Sequence, residues 1–309
     1  MKYVGRAGST ALKISAFIAL NIGIYAFAAA KADRSYHPRH PGESKQTLYF
    51  IPKNSRTDLL FLGSSRSKAF SHYHNHAQVE RILGRKIVNL SIDGAGVIPA
   101  YILFKYFLSR GNSADEAILF LDHADIVAAE GNENSPFLAL EPLRWGLLPY
   151  AVSGGLSFKR IAQYLYMKLH KKFKNRPILG ARDERRLAED FDREEARRAY
   201  DERDFGATGW GFSARLKRLD AIARLCKENG IRFRLVLLPG AFYDRAKARH
   251  YSENLWKAFL SAFAKERGIP LNDFRLAVPE AKYYADPMHL NSEGIEHFTQ
   301  KYLLPALNP

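Results

Sequence analysis

From residue 57 onward, short runs of apolar residues recur, each closing on glycine, serine, aspartate or proline. They are DLLFLG (Asp58 to Gly63), KIVNLS (Lys86 to Ser91), AILFLD (Ala117 to Asp122) and IRFRLVLLP (Ile231 to Pro239). Runs of this length, with little alternation, fit strands covered on both faces in a parallel sheet. Between them the apolar positions take a helical period, over Gln78 to Leu83, Val97 to Leu108 and Phe212 to Glu228. The last ends at Asn229-Gly230, as a helix C-cap does. Strands alternating with helices predict an α/β domain built on a doubly wound sheet, with ligands bound at the carboxyl ends of its strands.

The rhythm breaks between about residues 126 and 211. This interval holds Pro136, Pro142 and Pro149, an expected helix from Leu156 to Lys172, and a charge-dense stretch from Arg182 to Arg203. Arg185 and Glu189, and Arg186 and Asp190, stand four apart, so they can pair along a solvated helical face. The same insertion can serve as a cap or a partner-docking element. Nucleic acid is disfavoured as its ligand, because acidic residues interleave with the basic ones; Lys168 to Arg176 is more purely basic and suits anionic lipid or polymer.

The N-terminus has its own pattern. Lys2, Arg6 and Lys13 precede an uncharged run from Ile14 to Ala30, long enough for a spanning helix. A cleaved signal peptide ending near Ala28-Ala29-Ala30 is the alternative to an uncleaved anchor, which is favoured. Either way the rest of the chain is expected outside the cytoplasm. Residues 32 to 56, with Pro38, Pro41, Gly42 and Pro52, read as a tether; His37 and His40 are expected to be solvated there.

Charge narrows the partners. Lys+Arg 47 against Asp+Glu 32 gives a net charge of +15, which favours anionic polymers or lipid. The single cysteine, Cys226, excludes an internal disulfide or multi-cysteine metal site, and its helical setting marks it as a core filler.

Candidate chemistry lies at two places. Gly63-Ser64-Ser65-Arg66 directly follows the first strand, where a serine hydroxyl stands above the sheet and a helix start offers backbone N–H groups to an oxyanion. Gly-Ser-Ser is also an ordinary turn or N-cap. Far downstream comes Asp286-Pro287-Met288-His289-Leu290-Asn291, then Gly294. An aspartate three residues before a histidine can accept the Nδ1–H of its imidazole and leave Nε2 free to act as base. A metal pair and a structural pair are the alternatives. Asn291 or Ser292 is expected to cap the last helix. His72, His74 and His76 place two imidazoles at i, i+4, a metal-like spacing, but solvated surface histidines are favoured.

Together these blocks resemble the SGNH (GDSL-like) hydrolase superfamily from about Asp58 to the end. The resemblance implies a doubly wound, flavodoxin-like parallel sheet of SGNH type with a largely helical insertion, preceded by one N-terminal transmembrane helix. The implied divisions are an anchor or signal segment at 1–31, the tether at 32–56 and the catalytic domain at 57–309. DLLFLGSS implies Ser65 as nucleophile, with Ser64 where many members have Asp. NLSIDG implies Gly94, joining Ser65 as backbone donors of an oxyanion hole. DPMHLNSEG matches the last block throughout and implies Asp286 as orienter and His289 as base. The third block departs: Asp122-His123-Ala124-Asp125 puts Ala124 where an oxyanion-binding Asn is expected, a place His123 can fill. The anchor and this departure resemble the tethered members that add D-alanine to lipoteichoic acid or acetyl groups to exopolysaccharide. The implied function is O-acylation of an anionic envelope glycopolymer through an acyl-serine, beside a polytopic membrane O-acyltransferase and without a cofactor. A stand-alone esterase and a non-catalytic glycopolymer-binding scaffold are the alternatives.

Overall fold

The computed structural model describes residues 51–72, 74–122, 125, 145–169, 186, 209–241 and 251–308, with scattered positions between 10 and 27. Its centre is a five-stranded parallel sheet. The strands are β1 (Arg56–Leu62), β2 (Ile87–Asn89), β3 (Ser113–Leu121), β4 (Arg232–Leu237) and β5 (Leu271–Asp273), in the order β2-β1-β3-β4-β5. Register is set by pairs such as Leu60 with Ala117 and Leu119 with Leu235. Each of the four expected strands is present within a few residues of its expected ends. The expected helices are present too, as Asn75–Leu83, Val97–Ser109 and Gly209–Glu228.

The apolar runs are explained by cover on both faces. Leu59 and Phe61 of β1, with Ile118 and Phe120 of β3, face a layer holding Val79 and Leu83 of the helix Asn75–Leu83. Ile295 and Phe298 of the helix Ser292–Phe298 complete that layer. Leu60 and Leu62, with Leu119 and Leu121, point the other way, against Ile102 and Phe104 of the helix Val97–Ser109 and Ile222 of the helix Gly209–Glu228. Burying each such side chain contributes about 1.5–3 kcal/mol. No strand residue in these runs can be polar without a partner in this core, which is why the runs are continuous.

Among the elements not anticipated are the helix Tyr251–Arg267, whose Leu260, Phe263 and Ala264 join the core, and the short strand β5. Within the insertion, a helix spans Leu148–Gly154 and another Phe158–Leu169; the latter lies inside the range expected from Leu156 to Lys172. The pairs Arg185–Glu189 and Arg186–Asp190 lie outside the described residues except for Arg186, as does most of the tether. The described residues between Thr10 and Phe27 are helical, with Leu12, Phe17, Leu20 and Phe27 largely exposed. Among the described residues, no helix is long and apolar enough to cross a membrane.

The strand order positions the site. β2 and β3 both follow β1 in sequence yet lie on opposite sides of it. The winding reverses there, so a crevice opens at the carboxyl ends of β1 and β3.

Candidate active site

β1 runs into a turn at Gly63. This residue has φ +147, and a Cβ on it would stand 2.8 Å from the carbonyl oxygen of Phe120 in β3. Glycine therefore lets the turn close against the neighbouring strand. Ser64 is extended and caps the four-residue helix Ser65–Lys68. Ser65, half-buried at the start of this helix, places Oγ 2.7 Å from Nε2 of His289.

His289 arrives on a small antiparallel hairpin of β6 (Tyr284–Asp286) and β7 (His289–Leu290). Its Nδ1 lies 2.9 Å from each carboxylate oxygen of Asp286. An ionised carboxylate only accepts, so Nδ1 carries the proton and Nε2 is left to accept from the Ser65 hydroxyl. Asp286 is itself oriented: its Oδ1 accepts the backbone N–H groups of Met288 at 2.9 Å and His289 at 3.0 Å. Burial works against ionising Asp286, and the bond and charge of His289 with those backbone N–H groups outweigh it. The pKa falls to about 2.

The residues after the histidine hold the hairpin. Asn291 caps the helix Ser292–Phe298 by accepting from the Gly294 N–H at 2.8 Å, and its Nδ2 donates to the Lys282 carbonyl at 2.8 Å. Of the two residues expected to cap this helix, it is Asn291. A Cβ on Gly294 would lie 2.1 Å from the Tyr283 carbonyl oxygen, so the helix start and the hairpin meet backbone to backbone.

The helix Ser65–Lys68 is fastened on both sides. Toward β3 and β4, the buried Arg66 reaches Asp122 Oδ2 at 3.2 Å and the Pro239 carbonyl. Toward β2, Ser67 donates to Ser91 Oγ at 2.8 Å, and Asn89 Nδ2 donates to the Ser67 carbonyl at 2.9 Å. Lys68 Nζ meets Asp93 Oδ2 at 2.7 Å. Gly94 follows in a turn closed by Ala95 N–H to the Ile92 carbonyl, with φ +67, and Ile92 N–H donates to the carbonyl of Gly63 at 3.2 Å. The loop carrying Gly94 is thus bonded to the residue two before Ser65.

The sequence blocks therefore converge: Ser65, His289 and Asp286 form a hydrogen-bonded row, with the Gly94 loop tied beside it. His123 and Ala124 of the third block lie outside the described residues. Asp122 and Asp125 exchange side-chain-to-backbone bonds across them. The surface reading of the three histidines needs correction at His76, which is 2% exposed; Nδ1 meets Ser71 Oγ at 2.8 Å and Nε2 lies 3.4 Å from Glu80. A helix beginning at Asn75 turns it inward, while His72 precedes that helix. No group of three or more His, Cys, Asp or Glu among the described residues can hold a metal. Arg66, Lys68 and Asp93 had no sequence signal beyond standing next to Ser65, within its short helix or before Gly94, and Asp122 none beyond opening the third block, because their pairings span loops.

No family model matches the sequence, and no curated protein matches it. Among solved structures, the fold is similar to that of a proposed acylhydrolase of Bacteroides fragilis, at 13% identity and a TM-score of 0.40, covering 90% of this chain and 94% of that one. An acetyl xylan esterase aligns at 13% identity and a TM-score of 0.43, covering 80% and 98%. A GDSL-like lipase of Bacteroides thetaiotaomicron aligns at 11% identity and a TM-score of 0.37, covering 92% and 98%. At this distance the likenesses carry no information on chemistry, which rests on the geometry around Ser65.

Proposed function

We propose that the chain is an SGNH-type serine acyltransferase, with Ser65 as nucleophile, His289 as general base and Asp286 as its orienter. The observation that carries the reading is the unbroken row from Asp286 through His289 to the Ser65 hydroxyl, at 2.9 and 2.7 Å. Ser65 Oγ attacks an ester carbonyl while Nε2 of His289 takes its proton. The backbone N–H groups of Ser65 and Gly94 receive the oxyanion. His289 then returns the proton to the leaving alcohol, and an acyl-Ser65 ester remains. A second hydroxyl, activated by the same imidazole, attacks that ester and carries the acyl group away.

The acceptor in this reading is an anionic envelope glycopolymer, and the acyl group, acetyl or alanyl, comes by way of a polytopic membrane O-acyltransferase. The net charge of +15 supports an acidic acceptor. The uncharged run Ile14 to Ala30 supports a membrane-tethered, extracytoplasmic setting. Arg186 of the insertion reaches Glu293 at 3.0 Å, four residues past His289, which supports a cover near the acyl-serine. Such a cover excludes water, which transfer needs and hydrolysis does not.

The test is labelling of the full-length chain by a fluorophosphonate, read by intact mass, with envelope-polymer acylation measured in cells lacking the gene. Ser65→Ala is expected to abolish labelling and to fail to restore acylation. Undiminished labelling in Ser65→Ala overturns the site. Labelling at Ser65 with rapid turnover of p-nitrophenyl acetate and unchanged polymer acylation replaces the transferase with an esterase.

A further inference from the structure

We propose that Lys68 and Asp93 are positioning residues, whose ion pair holds the turn bearing Gly94 at a fixed distance from the nucleophile. The inference rests on the serine acyl-transfer reading. Two features single out this pair. Its partners lie on the two segments that carry the backbone donors: Lys68 ends the helix that Ser65 begins, and Asp93 is the residue before Gly94.

The turn is otherwise fastened to β1 by the Ile92 N–H to Gly63 carbonyl bond. Ile92 and Ala95, buried in the core, anchor the two ends of the turn, and Asp93 and Gly94 are the part between them that stands out of it. The ion pair at Asp93, 2.7 Å from Lys68, adds an attachment on this protruding stretch, directly beside Gly94. The side chains are only partly exposed, 20% for Lys68 and 43% for Asp93, so the contact is shielded on one side. The aliphatic stem of Lys68 runs from a helix that Ser67 and Asn89 already fix to β2 and its loop, so the ammonium has a firm base.

The charges also bear on the reaction. Burial opposes ionisation of Asp93, and Lys68, with His72 and His289 nearby, outweighs it and keeps its pKa below the usual value. Gly94 is exposed, as a donor to an incoming carbonyl must be. A donor displaced by about 1 Å loses much of its value to the transition state, a loss on the order of 100-fold in rate.

The experiment uses the full-length chain with Lys68→Met, Asp93→Asn, the double variant and the exchange Lys68→Asp with Asp93→Lys. Two readouts are taken: the rate of fluorophosphonate labelling at Ser65, and hydrogen exchange of the amides at 92–95. Each single variant is expected to label about 10- to 100-fold more slowly, with faster exchange at 92–95 and an unchanged thermal midpoint. The double variant is expected to be no slower than the worse single, since both remove one interaction. The exchanged pair and Lys68→Arg are expected to recover part of the rate. Wild-type labelling in both single variants, or unchanged exchange at 92–95, overturns the proposal. Failure of the wild-type chain to label at Ser65 overturns the acyl-transfer reading instead, and exchange then decides alone whether the pair holds the turn.

Discussion

The backbone N–H of Ala241 donates to the carbonyl of Pro287 at 2.9 Å, tying the loop after β4 to the turn between Asp286 and His289. Two residues earlier in the same loop, the Pro239 carbonyl accepts from Arg66, the neighbour of Ser65. One short segment thus touches both halves of the serine–histidine pair. The segment leaves the carboxyl end of β4, so the 2.7 Å approach of Ser65 to His289 is linked to the sheet as well as to the two side chains.

Arg66→Met is expected to unfold more easily than the wild type by about 3–5 kcal/mol, because it removes a buried guanidinium from its pair with Asp122, whose side chain is 12% exposed. Arg66→Lys is expected to fall between them: an ammonium keeps the charge but lacks the fork that spans a carboxylate and a carbonyl. Urea unfolding of the full-length chain measures both. A midpoint for Arg66→Met equal to the wild type would remove Arg66 from this role.

Asp286→Asn keeps the shape of the side chain but removes its charge and replaces one of the two acceptor oxygens with an NH2 donor; with the amide oxygen held by the Met288 and His289 N–H groups, that donor faces Nδ1. Labelling of Ser65 is expected to slow by about 10⁴, the cost of the wrong tautomer in other triads. A stability signature accompanies it. The pKa of Asp286 is pushed down to about 2 in the fold, below the ordinary aspartate value of 3.8, so the ionised carboxylate stabilises the fold above pH 3.8. That contribution fades as pH falls toward 2. The gap in urea midpoint between wild type and Asp286→Asn should therefore close on acidification; a gap constant from pH 6 to pH 2 would contradict it.

The apolar runs of β1, β3 and β4 were legible because burial on both faces leaves no polar alternation. Gly63, Ser65, Asp286 and His289 were legible because their spacing matches the blocks of a known superfamily. β5 was not: Leu271–Asp273 is short and half-exposed at the sheet edge, so two of its three residues are polar. The helix Tyr251–Arg267 was not anticipated either; among its described side chains Leu260, Phe263 and Ala264 are buried. Loop-spanning pairs such as Lys68 with Asp93 exist only once the sheet has set two turns side by side.

Gly294→Ala tests the backbone contact behind the histidine. An added Cβ would press on the Tyr283 carbonyl, which belongs to the backbone and cannot rotate away. The cost is expected to be about 1–3 kcal/mol, with slower labelling at Ser65 as the hairpin shifts. Thermal melts and labelling rates measured together decide it; an unchanged melt would mean the helix start moves freely.

Cys226 is 1% exposed, and burial pushes its thiol up to about 12. The native chain is expected to leave Ellman's reagent unreacted and to react once unfolded in guanidinium. Rapid reaction of the native chain would place Cys226 at the surface.

Ser65 and His289 are separated by 224 positions along the chain, joined at opposite ends of the folded domain's sequence. A ribosome makes the nucleophile long before it makes the base. In the proposed mechanism, until the hairpin carrying His289 docks, Ser65 is an ordinary alcohol, unable to capture an acyl group from anything it meets. Reactivity is thereby a property of the folded domain: the bond proposed to activate the serine cannot form until 224 further residues have been made.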